Sequence, residues 1–377
     1  MKLLLAIAVI ASISAFGVDS APLTLPDSNV KTFIFENGLT LITEEDHNAP
    51  VASIQAWCGT GSIHEGKWMG SGLSHILEHM LFKGTTSRPP GAIAKEIQNL
   101  GGYVNAYTSF DCTVFWIDVP AEGAMEALSI LADVTMNATL PEEEYAKEQE
   151  VIRRELAMRL DDPDRQSSQL MFRTAFSVSP LKHPVIGYLD VYNKLKREDV
   201  MDYYKARYAP NNLTFVVTGD MDPEKIRANL EKIYGSQPRR ALEPVFVAGE
   251  PRQAGRRDMH EEFKTALTRL ALAWRIPGLA NPDVPALDLL SEILGNGKSS
   301  RLNREIREEK QLAYGISART MTLQDEGLFF INAVTDPGKR RDVEEKSLQI
   351  IEKIKTSGVS GEEIERARKS LLARQFR

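Results

Sequence analysis

Residues 72–82, Gly-Leu-Ser-His-Ile-Leu-Glu-His-Met-Leu-Phe, constrain the fold more than any other stretch of the chain. Leu73, Ile76, Leu77, Met80 and Leu81 recur at three- and four-residue steps, the period of a helix with one buried face. His75 and His79 are two of the 6 histidines in the sequence. Four residues apart, they share a helix face on which their ring nitrogens can converge on one ion. Glu78 lies beside them and can reach a water on that ion without being a ligand. A partly buried helix with two hydrogen-bonded histidines is the plainer reading of any His-x-x-x-His pair. The enclosed carboxylate and a third ligand from elsewhere in the chain turn the balance towards the ion.

That third ligand comes from a later helix. Pro141 and the glutamates 142–144 open it, as the helix macrodipole favours. Within it Glu148, Val151, Ile152 and Glu155 fall at i, i+3, i+4 and i+7, so two carboxylates share a stripe with two β-branched apolar residues. A carboxylate drawn into an apolar stripe needs a partner, because an unpaired buried charge costs on the order of several kcal/mol. Arg153 and Arg154 offer a local ion pair, although both project from other faces. A metal ion with its histidines is the alternative. A catalytic zinc site needs three protein ligands, an open position and a base, which His75, His79, Glu155 and Glu78 can supply.

The 377 residues suggest about two domains. With 42% apolar and 26% charged residues the composition is that of an ordinary globular protein. A formal charge of −6 without a basic block argues against nucleic acid or an anionic membrane surface as partner. Residues 1–20 read as a signal peptide: Met1-Lys2, the apolar run Leu3–Val18, and small residues before Ala21. An anchoring helix is the alternative, but the run is shorter than the ~20 residues a bilayer requires. The mature chain is therefore expected to be secreted or periplasmic, with no stable membrane span. Export permits a disulfide between Cys58 and Cys112, each in a strand-like segment; two free thiols are the other possibility.

The remaining chain reads as two units. Glu36-Asn37-Gly38 between two β-rich runs marks a hairpin. Strands follow at 51–57 and within 103–119, helices at 92–100, 121–138, 163–176 and 197–207, and a strand at 213–218. The Pro- and Gly-containing residues 239–257 read as a linker between a first domain, 21–238, and a second, 258–377. In the second, 268–274 is strand-like, 284–294 and 300–309 are helical, 312–317 and 327–334 are strands, and helices run to the end. This order loosely echoes the first half. The expected class is α+β, two similar domains with helices packed on a mostly antiparallel sheet. The last amphipathic helix carries no closing cap, so the second domain is expected to be incomplete at its C-terminus.

The segment Gly72 to Thr85 and the spacing of its distal glutamate resemble the M16 family of zinc peptidases (pitrilysin, insulinase and mitochondrial processing peptidase-like), here a bacterial-type secreted member. The mark of that family is His-x-x-Glu-His rather than His-Glu-x-x-His. The resemblance implies that His75, His79 and Glu155 hold one Zn²⁺ per chain, that Glu78 is the base, and that Glu148, seven residues before the last ligand, orients the site. Gly101-Gly102-Tyr103-Val104-Asn105-Ala106-Tyr107-Thr108 is similar to the family's edge strand, where a peptide adds as an extra strand. Asn105, Ala106 and the motif's Phe82 take substrate-binding roles on that basis. Arg307 and Tyr314 match an Arg and Tyr that hold the substrate carbonyl opposite the metal. A solvated helix charge and a strand core residue are their plainer readings.

What the resemblance implies is a zinc endopeptidase acting on peptides or short unfolded segments. A non-catalytic partner subunit and a zinc-binding chaperone are the alternatives, and the presence of all four zinc-site residues favours the enzyme. The family builds its chamber from two facing halves, so a homodimer or a pairing with a second M16 half is expected.

Overall fold

The Asn37-Gly38 pair makes the expected hairpin. Gly38, at φ +86°, joins β1 (Val30–Ile34) to β2 (Thr40–Glu45) in antiparallel register. Asn37 clamps the turn, accepting from the Leu39 N–H through Oδ1 and donating through Nδ2 to the carbonyls of Tyr234 and Gln237. The structure, a computed structural model, describes residues 29–375. The signal peptide expected over residues 1–20 lies outside them.

The chain divides into two compact units. The first comprises the described part of Thr24–Arg159 with Val178–Pro251. Here β3 (Val51–Cys58), β4 (Tyr103–Thr108), β5 (Thr113–Pro120) and β6 (Leu213–Gly219) join the hairpin in one sheet of order β1-β2-β6-β3-β5-β4. Every neighbouring pair is antiparallel except β2 and β6. Strict alternation sends Ala52, Ile54, Ala56 and Cys58 of β3, Phe115, Ile117 and Val119 of β5, and Phe215 and Val217 of β6 into one core. The helices of this unit are α1 (Leu73–Leu81), α2 (Ala92–Asn99), α3 (Ala124–Asn137), α4 (Glu142–Leu160), α6 (Leu189–Tyr192), α7 (Arg197–Arg207) and α8 (Pro223–Tyr234). α3 packs on β3 and β5, and α1 and α2 pack on β4, whose outer edge pairs with no strand among the described residues.

The second unit contains Leu160–Ser177 and the chain from Arg252 onward. β7 (Thr268–Pro277), β8 (Gly315–Thr322) and β9 (Glu326–Thr335) form an antiparallel sheet of order β7-β9-β8. α5 (Pro163–Ala175), α9 (Val284–Gly295) and α10 (Arg340–Ser357) pack on its strands, and α11 (Gly361–Gln375) packs on α9. Both units thus place helices on a mostly antiparallel sheet, the α+β class expected.

Several local expectations are corrected. The units cut the chain differently from boundaries at 238 and 258. α5 precedes the linker in sequence but packs on β7, and Asp164 at its start is ion-paired to Arg269 on that strand at 2.9 Å. Residues 238–267 carry neither helix nor strand, a longer connection than 239–257. The strand expected at 312–317 begins only at Gly315, because Gln311 turns the chain at φ +51°. Cys112 lies in the turn before β5 rather than in a strand, and both cysteines are free thiols. Burial pushes the Cys58 thiol up to about 12. Among the described residues no helix is long and apolar enough to cross a membrane.

Candidate active site

The helix that carries both histidines is pinned at its start. Gly72 precedes α1 at φ +75°, and a Cβ there would lie 2.1 Å from the Ile186 carbonyl oxygen, so only glycine fits. Buried Glu65 accepts from the Ser74 N–H at 3.0 Å, meeting one of the unpaired donors of the first turn, and burial pushes its carboxyl up to about 7. The Ser74 hydroxyl meets the Tyr203 hydroxyl at 2.9 Å, tying the same turn to α7.

One turn on, the His75 and His79 rings lie edge to face with centroids 4.8 Å apart. α4 brings both of its striped carboxylates to them. Glu155 Oε2 stands 3.7 Å from His75 Nε2, and Glu148 Oε2 is 3.0 Å from His79 Nδ1. Each glutamate is held from its other oxygen: Lys83 Nζ is 2.6 Å from Glu148 Oε1, and Arg159 donates to Glu155 Oε1 from Nη2 at 2.8 Å and Nε at 3.2 Å. Arg153 and Arg154 turn instead to Glu150. The two glutamates of the stripe are therefore partnered by the histidine helix and by Lys83 and Arg159.

Glu78 sits on the same helix beside β4. The Thr108 hydroxyl donates to its Oε2 at 2.6 Å. Burial raises the Glu78 carboxyl above its ordinary range, and the Thr108 bond only partly opposes this. Burial, with the neighbouring His79, lowers His75 to about 4, so its imidazole is neutral at pH 7 and keeps a lone pair for an ion. Burial also acts on Glu148 and Glu155, but Lys83 and His79 for the first, and His75 and Arg159 for the second, outweigh it and hold both carboxyls low.

Among the described residues, His75, His79 and Glu155 form one group that could hold a metal ion, with one donor atom from each within 4.8 Å of the others. Donors around a tetrahedral zinc lie about 3.3 Å apart at ordinary bond lengths, so small side-chain rotations close the set. The chemistry fits as well: two neutral-capable imidazoles and a carboxylate are a zinc donor set, with Glu148 on the far nitrogen of His79. His75 Nδ1 is buried with no hydrogen-bond partner among the described residues, so it is Nε2 of that ring that faces Glu155.

Asn105 and Ala106 lie on β4 at the edge of the sheet. The Ala106 N–H is bonded not to a neighbouring strand but to the Asn105 side-chain Oδ1 at 2.9 Å, and Asn105 Nδ2 donates to the Tyr103 hydroxyl at 2.8 Å. Phe82 caps α1 and packs edge to face on Phe115, centroids 5.7 Å apart. Arg307 and Tyr314 lie in the second unit, where they line one open cleft of about 410 Å³ with Gln311, Asp336 and Lys339. Arg307 sits on a π-helical segment, Asn303–Glu309, a rare conformation that recurs at functional sites. Tyr314 is 60% exposed, not a core residue, and its hydroxyl donates to Asp336 Oδ1 at 3.0 Å.

Three residues at the site were not assigned from sequence. Arg159 could have been found as the i+4 partner of Glu155. Lys83 and Thr108 stand inside the motif segments but meet their partners only through the fold.

Residues 40–188 match the family description "Insulinase (Peptidase family M16)", and residues 194–371 match "Peptidase M16 inactive domain". An uncharacterized zinc protease of Rickettsia felis is 32% identical over 341 residues, covering 89% of this chain and 80% of its own. The crystal structure of a protease from Helicobacter pylori superposes with a TM-score of 0.87 at 27% identity, covering 93% of this chain and 86% of that one. The first half of the periplasmic protease PqqL from Escherichia coli, at 22% identity and a TM-score of 0.74, covers 93% of this chain and 77% of that one and shares the fold.

Proposed function

We propose that this chain, which belongs to peptidase family M16, is a zinc-dependent endopeptidase that hydrolyses peptides or short unfolded segments. The observation that carries the reading is the convergence of the His75, His79 and Glu155 donors within 4.8 Å, with Glu78 one residue from a ligand on the same helix. Zinc held by these three residues supplies, when bound, Lewis-acid polarisation of the scissile carbonyl and a lowered pKa for water in its open position. Glu78 takes the proton from the attacking water and delivers it to the leaving amine; its raised pKa suits both tasks. Glu148 fixes the ring orientation of His79. The free edge of β4 takes the peptide as an additional strand, with the Asn105 side chain giving up the Ala106 N–H to it, and Phe82 borders that strand. Arg307 and Tyr314 hold the substrate carbonyl, supplied by the partner half in a homodimer or by a second M16 half. The mature protein is secreted or periplasmic, beginning near Ala21.

The test is Glu78→Gln. The variant retains zinc, because all three ligands remain, and loses peptide turnover; His79→Ala and Glu155→Ala lose both. A Glu78→Gln protein that cleaves at the original rate would remove the base assignment. The match of residues 194–371 to an M16 domain described as inactive favours a second reading, a non-catalytic peptide-binding partner. That reading requires peptide binding without chelator-sensitive turnover in the wild-type chain.

A further inference from the structure

The base and the peptide-binding edge of the proposed endopeptidase meet at one side chain, Thr108. It is the last residue of β4, paired with Thr113 across the β4–β5 hairpin. The hairpin turn is closed by the Ser109 N–H on the Cys112 carbonyl at 2.8 Å, and the Thr113 hydroxyl donates to the Thr60 carbonyl at 2.9 Å. The Thr108 backbone is therefore fixed from several sides. Its hydroxyl has one proton to give. Of two acceptors in reach, the Ser74 carbonyl is 3.5 Å away and Glu78 Oε2 is 2.6 Å away, so the carboxylate takes the bond.

We propose that Thr108 is a positioning residue for Glu78. Its hydroxyl holds Oε2 and leaves Oε1 as the oxygen that takes and returns the proton. Because Thr108 belongs to the strand that receives the peptide, a peptide paired along β4 is aligned by the same backbone that orients the base. Substrate binding and base alignment are thus coupled through a single residue, and the coupling is read in kcat rather than KM. The inference rests on the endopeptidase reading, and its failure is separable from the failure of that reading.

The experiment compares wild type, Thr108→Val, Thr108→Ser, Glu78→Gln and the Thr108→Val/Glu78→Gln double variant, each as the full chain loaded with zinc. Thr108→Val keeps the β-branched shape but removes the hydroxyl donor. It is expected to keep its zinc and a KM within about twofold of wild type, while kcat falls between about 10- and 100-fold. Thr108→Ser restores the donor and most of the rate. In the Glu78→Gln background, Thr108→Val adds no further loss, because a positioning residue has no effect once its base is gone. Zinc-free Thr108→Val, crystallised, shows the Glu78 carboxylate turned away from its wild-type place. Thr108→Ala, read in the same way, substitutes for Thr108→Val if that variant folds poorly. Wild-type kcat in both hydroxyl-deleted variants, an undisplaced Glu78, or a full additional loss in the double variant would overturn the proposal. Undiminished turnover by Glu78→Gln alone would instead overturn the base.

Discussion

Arg159 donates two hydrogen bonds to a single oxygen of Glu155, Oε1, and the other oxygen is the one that stands 3.7 Å from His75 Nε2. The carboxylate is thereby divided: one oxygen is bound within α4 and the second is presented to the histidines. The arrangement comes from helix geometry, since residues four apart lie one above the other on a helix face. It gives a one-sided carboxylate, which suits monodentate ligation.

Arg159→Met retains the stem but removes the donors and the charge. If zinc is held as proposed, its dissociation constant rises by about 10- to 100-fold, the usual effect of losing a group that orients a ligand. Competition with a chromogenic chelator measures this directly. Unchanged zinc affinity would mean that Arg159 only packs beside the site.

Glu65 provides a pH dependence of stability independent of the metal. Its folded-state carboxyl lies at about 7, against an ordinary value of 4.5. Between those values the folded state binds a proton that the unfolded state has released, so stability is fully present below pH 4.5 and falls as pH rises towards 7. At 1.36 kcal/mol per unit, the loss across the window is about 3 kcal/mol. Glu65→Gln keeps an acceptor for the Ser74 N–H but has no proton to lose. Urea unfolding of metal-free protein at pH 5 and pH 7.5 should show a steeper decline in wild type than in the variant. Parallel curves would show that the buried carboxyl titrates alike in both states.

Much of the first unit is legible in sequence because its determinants are local. The Asn37-Gly38 hairpin, the period of α1 and the i, i+7 spacing of Glu148 and Glu155 all follow from short-range geometry. What sequence does not disclose is pairing across long separations. Thr108 and Glu78 meet because α1 packs on β4, and Lys83 meets Glu148 from a position 65 residues earlier in the chain. The membership of α5 in the second unit depends on β7, about a hundred residues later, and periodicity says only that the segment is helical. The π-helical turn at Arg307 is hidden for the same reason: the α and π forms of 303–309 have one apolar pattern and differ in a hydrogen-bond shift.

Gly72→Ala tests whether the start of α1 sets the whole site. Gly72 is in the left-handed region at φ +75°, which costs an L residue roughly 1–2 kcal/mol. The added Cβ would also lie 2.1 Å from the Ile186 carbonyl oxygen and 2.7 Å from its carbon. These are backbone atoms, held opposite Gly72 by Gly187, where a Cβ would in turn meet Ser71 and Gly72. Neither strand of this contact can yield by turning a side chain, so the two costs add and the variant should lose at least about 3 kcal/mol in urea unfolding. Because His75 begins one turn after Gly72, the same shift moves the histidines relative to Glu155, and zinc affinity should fall along with stability. Gly187→Ala, which intrudes from the opposite side, should produce the same pair of losses. A stable Gly72→Ala protein with normal zinc affinity would show that α1 can take a new start without disturbing His75 and His79.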